Sequence, residues 1–268
     1  INLKPYEVAD FIAKEREKEK IEYPTNMEEK AISLIGRPLY EAFIKEYSFK
    51  QWGKYPLELP ENIINRIPVR SNYYESYYNK KFCGIPTSGY TKMFERMLNN
   101  RKIQIKLNID FVDIKSFLPN KIFIIYTGAI DQFFCRRYGT LEYRKVKFER
   151  ELKSVKDWQG LSVMNYAEAK YPFTRICEPR HFYLEKWNVY PPNLTVIFKE
   201  FSMHDDGNDT FYPLNDNANN TLFLKYKKMS RQLKNVEFGG RLGEYKYYDM
   251  EDTIKSALSV SKKICATI

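Results

Sequence analysis

The apolar positions of this chain recur with a helical period at both ends and with a strand period through the middle, and the changeovers divide it. Residues 5–20, PYEVADFIAKEREKEK, predict a helix whose charge-mixed face is solvated. It ends before Tyr23-Pro24. Thr25 and Glu28 then read as a capping box, in which side chain and backbone satisfy each other's donors at a helix start. That helix runs to about Ile35 and Gly36 ends it; Pro38 suits the first turn of the next, PLYEAFIKEY. On this helix Leu39, Phe43 and Tyr47 share a face, a stripe that reads first as plain core.

From Gly53 to Gly89 the periodicity breaks at Pro56, Pro60, Pro68 and Pro86, with room for one short helix, ENIINRI. YTKMFERMLNN predicts a helix, and QIKLNIDFVDI and NKIFIIYTGAI predict strands. The second strand is apolar throughout, as one covered on both faces is. Between Leu141 and Phe201 the segments EYRKVKFER, GLSVMNYAEA and LTVIFKEF predict antiparallel strands. After a polar loop come a helix, TLFLKYKKMSRQL, a strand, NVEFGG, and a terminal helix to about Ile264. Helices, then strands, then a return to β–α predict an α+β class with a parallel α/β remnant.

Composition narrows the setting. The longest apolar stretch, IFIIY, falls far short of the roughly 18 residues of a membrane span. Cys83, Cys135, Cys177 and Cys265 stand far apart, and with only His181 and His204 beside them no zinc site or disulfide framework is predicted. Both histidines read as surface residues. The start, INLKPYEVADF, has neither a secretory pattern nor an initiator methionine, which predicts a cytoplasmic chain that is a piece of a longer one. A net charge of +10 favours anionic partners. No nucleic-acid-binding motif accompanies it, so nucleic acid stays an outside alternative.

Four clusters combine arginine with aromatic residues: YSFKQW, Tyr47 to Trp52; NRIPVR with NYYESYY, holding Arg66, Arg70 and Tyr73 to Tyr78; VMNYAEAKYPFTRI, holding Asn165 and Arg175; and FYPLND with FGGRLGEYKYYDM. In the last, Arg241, Tyr245, Tyr247, Tyr248 and Asp249 crowd a helix mouth, where unpaired backbone N–H groups suit phosphates and other electron-rich groups. Arginine forks and tyrosine hydroxyls suit a diphosphate, and exposed aromatic faces suit a nucleobase. Together they predict a nucleotide-sugar or dinucleotide site. Neither a catalytic triad nor a carboxylate pair is evident, which assigns the hard chemical step to a bound cofactor.

These motifs, with ELPENIINRIPVR, GIPTSGYTKM and YTGAIDQFF, closely resemble the bacterial UDP-galactopyranose mutase family, in order, from about Asn26 to Lys263. The resemblance implies an FAD-dependent isomerase. It interconverts UDP-galactopyranose and UDP-galactofuranose for cell-surface polysaccharides, through a covalent adduct between sugar and reduced flavin, and works as a homodimer. It implies that Phe43 and Tyr47 flank the uracil and Trp52 borders the sugar. Arg66 and Arg175 clamp the diphosphate, aided by Tyr77, Tyr212 and Tyr247, with Asn165 beside the nucleotide sugar. Arg241 and Tyr248 contact FAD, and Asp249 and Met250 lie against it, Asp249 also facing substrate.

The family's Gly-rich strand–turn–helix is missing, since no GxGxxG appears among the 11 glycines. The resemblance therefore covers the C-terminal two-thirds of a member. It implies a helical domain over 1–80 with a mobile substrate loop at about 53–70, FAD-domain pieces over 81–137 and 211–268, and an antiparallel sheet domain over 138–210. A chain with half its cofactor site binds FAD weakly. The chief rival reading is a non-catalytic remnant that holds UDP-sugars or a partner; another flavoprotein class, the amine-oxidase relatives, has no use for paired Arg66 and Arg175.

Overall fold

A computed structural model describes residues 3–66, 69–74, 81–119, 121–207 and 209–266. Its helices are α1 (Pro5–Glu19), α2 (Met27–Ile35), α3 (Arg37–Phe43), α4 (Lys45–Trp52), α5 (Gly89–Leu98), α6 (Phe111–Ile114), α7 (Ile130–Phe133), α8 (Asn217–Ser230), α9 (Gly240–Gly243) and α10 (Met250–Cys265). Its strands are β1 (Ile124–Tyr126), β2 (Tyr143–Lys153), β3 (Val163–Asn165), β4 (Arg175–Cys177), β5 (Thr195–His204), β6 (Tyr212–Pro213) and β7 (Val236–Phe238). The chain divides into two compact units, one of Ile1–Leu107 with Lys147–Phe201 and one of Asn108–Val146 with Ser202–Ile268. Among the described residues no helix is long and apolar enough to cross a membrane.

In the first unit the helices pack around Met27, Ala31, Ile32 and Tyr40, all buried. The cap of α2 lies one residue beyond the predicted box. Asn26 accepts from the Glu29 N–H at 2.9 Å, and Glu29 accepts from the Thr25 N–H at 2.7 Å. Glu28 is not available for that role because it accepts the hydroxyl of buried Tyr40 at 2.5 Å. Gly36 ends α2 at φ +78, where a Cβ would stand 2.4 Å from the Glu15 Cβ, so only glycine lets α1 approach. The predicted helix PLYEAFIKEY is two, broken at Ile44, and its stripe is not core: Phe43 is 56% exposed and Tyr47 half-buried, while Tyr40 fills the interior. Residues 61–66 form a 3-10 turn.

The same unit carries the antiparallel strands β3, β4 and β5 side by side, with β2 next to β5. β4, within the proline-flanked stretch YPFTRICEP, was not predicted. Ile176 and Ile197 turn to one face and pack with Phe173. In register, Asn165 stands opposite Arg175, and Arg175 opposite Glu200.

In the second unit β1 pairs in parallel with β7, and β6 pairs with the start of β2. The core gathers Ala129, Ile130, Leu141, Tyr143, Tyr226 and Tyr245, beside an aromatic cluster of Tyr126, Phe133, Phe134 and Phe238. Two strand expectations give way, one of them where the first unit passes into the second. The alternating stretch 103–109 forms no strand, and Phe111–Ile114 is helical. Its apolar side chains stay outside the core, with Leu107 77% exposed, because alternation makes a strand only where a neighbour completes the ladder. The apolar run 122–126 keeps only three strand residues, and Ile125 is 56% exposed, so it is not covered on both faces.

Candidate functional site

Directly opposed residues of an antiparallel pair share a face. Asn165, Arg175 and Glu200 therefore form one polar row across β3, β4 and β5, on the side away from Ile176 and Ile197. Arg175 Nε lies 3.2 Å from Glu200 Oε1, and Arg175 Nη2 donates to the Tyr47 hydroxyl of α4 at 3.1 Å. The guanidinium is thus oriented from two sides, by a carboxylate and by a phenol. Glu200 is only 7% exposed, and burial pushes its carboxyl above the ordinary range, with Arg175 pulling the other way. An arginine held in this manner presents a fixed planar fork, the geometry that recognises a phosphate or carboxylate through two hydrogen bonds.

Three residues after Tyr47, on the same side of α4, Lys50 reaches the connection between β3 and β4. Its ammonium donates to the carbonyl oxygens of Tyr166, Glu168, Tyr171 and Phe173 at 2.5, 3.0, 3.1 and 3.2 Å. Burial lowers the pKa of this lysine. At the end of α4 the indole of Trp52 is 5% exposed, so it serves the packing of this unit and offers no more than an edge. Phe43, at the end of α3, presents an open aromatic face. Arg66 closes the 3-10 turn, but its side chain lies outside the described residues, as does Tyr77.

The second unit holds the other expected residues. Arg241, in α9, donates from Nε and Nη2 to the Tyr248 carbonyl at 3.1 and 2.5 Å. Its guanidinium lies 4.7 Å from the ring centre of Tyr212 and 5.7 Å from that of Tyr247. Those two rings lie 5.3 Å apart. Asp249 caps α10, and Met250 beside it is 62% exposed. Tyr245 does not belong to this group. It is 1% exposed, and its hydroxyl lies within 2.9 Å of the Glu142 and Leu214 carbonyls, so it is core. The mouth of α10 carries Asp249, Glu251 and Asp252, which offset the positive helix end. This disfavours a phosphate there and suits hydroxyl or ring N–H donors.

His181, expected at the surface, is half-buried. Its Nε2 lies 3.0 Å from Asp157 Oδ1 and 3.7 Å from Glu178 Oε2. Among the described residues these three form the group with metal-ligand spacing. The Glu178 carboxylate, fully buried, already accepts from the Trp158 and Gln159 N–H groups and from the Thr195 hydroxyl. Asp157 accepts from the Gly160 N–H. The group is a hydrogen-bond hub that ties the β2–β3 connection to β5, and its donors are accounted for without a metal.

Sequence reasoning missed Glu200 and gave Lys50 no role. The first stands in the strand LTVIFKEF on the face opposite Ile197, where a charge is ordinary by alternation, so its burial left no local signal. The second lies in the quoted motif YSFKQW, but a contact to four carbonyls far along the chain leaves no local trace.

The fold has a counterpart among solved structures. A crystal structure of reduced UDP-galactopyranose mutase aligns with a TM-score of 0.62 and 14% identity over 88% of this chain and 67% of that one, so the two share a fold. The family model of UDP-galactopyranose mutase matches residues 42–247. A probable UDP-galactopyranose mutase of Klebsiella pneumoniae is 39% identical over 91% of this chain and 62% of its own length. A dTDP-fucopyranose mutase of Escherichia coli is 34% identical over 97% of this chain and 69% of its own. The UDP-galactopyranose mutase of Mycoplasma genitalium is 33% identical, over 91% and 65%. The chain belongs to the UDP-galactopyranose mutase family, and it spans about two thirds of the length of these relatives.

Proposed function

We propose that the protein interconverts the pyranose and furanose forms of a nucleotide-activated sugar, UDP-galactose foremost, as a flavin-dependent isomerase of the cytoplasm. The observation that carries this reading is the fixed fork of Arg175, set between Glu200 and Tyr47 and beside Asn165. Arg175 binds the diphosphate and neutralises the charge that gathers on it when its bond to the sugar breaks. Arg66 supplies the second cation of that clamp, and Phe43 with Tyr47 supplies the aromatic surface for the base. Asn165, on the same row, hydrogen-bonds the sugar nucleotide.

The residues of the second unit fit a flavin. Arg241 is a cation flanked by the tyrosine rings of Tyr212 and Tyr247, and the acid-capped mouth of α10 accepts hydroxyl or N–H groups. Arg241, Tyr248, Asp249 and Met250 would hold it. A reduced flavin, when bound, would supply the nucleophile for this reaction.

A second reading, a dTDP-linked 6-deoxy sugar as substrate, is favoured by the similarity to dTDP-fucopyranose mutase along 97% of the chain. One experiment separates the readings. The full-length protein is purified, its visible spectrum recorded after desalting, and the dithionite-reduced protein incubated with UDP-galactopyranose or dTDP-fucopyranose. Retained flavin and a furanose product from the first sugar support the main reading; product from the second alone moves the substrate. A colourless protein that binds UDP and yields no product with added FAD is a non-catalytic sugar-nucleotide binder. Sizing of the same sample reads the expected homodimer.

A further inference from the structure

An ammonium surrounded by four main-chain carbonyls is a built-in counterion for a loop. Lys50 Nζ has three N–H groups for the carbonyls of Tyr166, Glu168, Tyr171 and Phe173, so at least one bond is shared, as around a desolvated metal ion. These carbonyls belong to the segment between β3 and β4. The four run from Tyr166, the residue after Asn165, to Phe173, two residues before Arg175. Lys50 therefore fixes the connection between two members of the polar row. It does so from α4, the helix whose Tyr47 accepts from Arg175. One helix face thus holds the Arg175 side chain through Tyr47 and the backbone leading to it through Lys50.

We propose that Lys50 is a positioning residue for the sugar-nucleotide reaction: it sets the β3–β4 hairpin against α4 so that Arg175 and Asn165 meet the diphosphate in one fixed arrangement. The inference rests on the mutase reading. Four converging carbonyls repel one another when the cation is removed, and the hairpin must open to hydrate them. Arg175 then loses the preorganisation that lets it act on the developing charge rather than on the ground state.

The test is a double-mutant cycle in the full-length protein, with Lys50→Met and Arg175→Ala singly and together, assayed for turnover and for UDP affinity at a temperature where all variants are folded. Lys50→Met is expected to lower kcat 10- to 100-fold with KM changed less than threefold, and to add less than a threefold loss once Arg175 is already alanine. Lys45→Met, which removes a surface ion pair between the start of α4 and Glu41 of α3, is expected to leave both constants unchanged. Losses from Lys50→Met and Arg175→Ala that multiply in full would overturn the proposal, as would a Lys50→Met protein with wild-type kcat. Should Lys50→Met not fold, Lys50→Cys alkylated with bromoethylamine rebuilds an ammonium on a side chain of the same length. Treated wild type controls for the native cysteines. Recovery of kcat supports the role, and a folded, alkylated protein that stays slow overturns it. If wild type neither binds UDP nor isomerises a sugar nucleotide, the mutase reading fails instead, a result distinct from every Lys50 outcome.

Discussion

Glu200 Oε1 stands 3.2 Å from Arg175 Nε, and the two residues are register partners on neighbouring strands. A buried carboxylate of this kind is costly unless its charge is met, and here it is met by Arg175. The pair therefore serves orientation more than stability, and the two functions separate by mutation.

Arg175→Ala in the full-length protein is expected to cost about 2–5 kcal/mol in UDP affinity and turnover together, because on the proposed reading it removes half of the diphosphate clamp. Arg66→Ala is expected to fall in the same range. UDP titration and initial rates check both. If affinity and turnover survive both changes, the clamp lies elsewhere.

Glu200 also predicts a pH dependence. Its carboxyl titrates above the ordinary glutamate value of 4.5 in the folded chain, so at pH values just above 4.5 the unfolded chain has released a proton that the folded chain keeps. Stability contributed at Glu200 is therefore complete below that value and declines as pH rises through the raised one. Urea midpoints of wild type and Glu200→Gln should show wild type losing ground to the variant between pH 4 and pH 7. A constant difference across that range would show that Glu200 is not perturbed.

Gly36→Ala is expected to destabilise the helical part by about 1–3 kcal/mol. Its φ of +78 disfavours any side chain, and a Cβ would meet the Glu15 Cβ at 2.4 Å. Thermal unfolding should show a lower Tm with the kinetic constants of the surviving folded protein unchanged. An unaltered Tm would mean that α1 moves aside at no cost.

Arg241→Ala removes a cation held by the Tyr248 carbonyl and stacked near Tyr212 and Tyr247. Flavin retention through desalting is expected to fall at least tenfold in affinity, or about 1.4 kcal/mol, while UDP affinity stays within threefold. The opposite pattern, with lost UDP binding and retained flavin, would reassign Arg241 to the substrate.

Much of this architecture was legible along the chain. The helix ends at Glu19, Ile35 and Cys265, the long strands β2 and β5, and the arginine–tyrosine clusters all follow from local rules: caps, glycine stops and two-residue alternation act between near neighbours. The same rules misplaced what depends on a distant partner. The alternation at 103–109 reads as a strand and is none, Tyr245 reads as a ligand group and is core, and Glu28 reads as a cap and serves Tyr40. The site itself belongs to the second kind. Asn165, Arg175 and Tyr47 stand out in the sequence, but Glu200 and Lys50 enter only because strand register sets residues 175 and 200 side by side, and because one ammonium reaches carbonyls more than a hundred residues away. Local propensity writes the elements; register and burial, which are long-range, decide which charges meet.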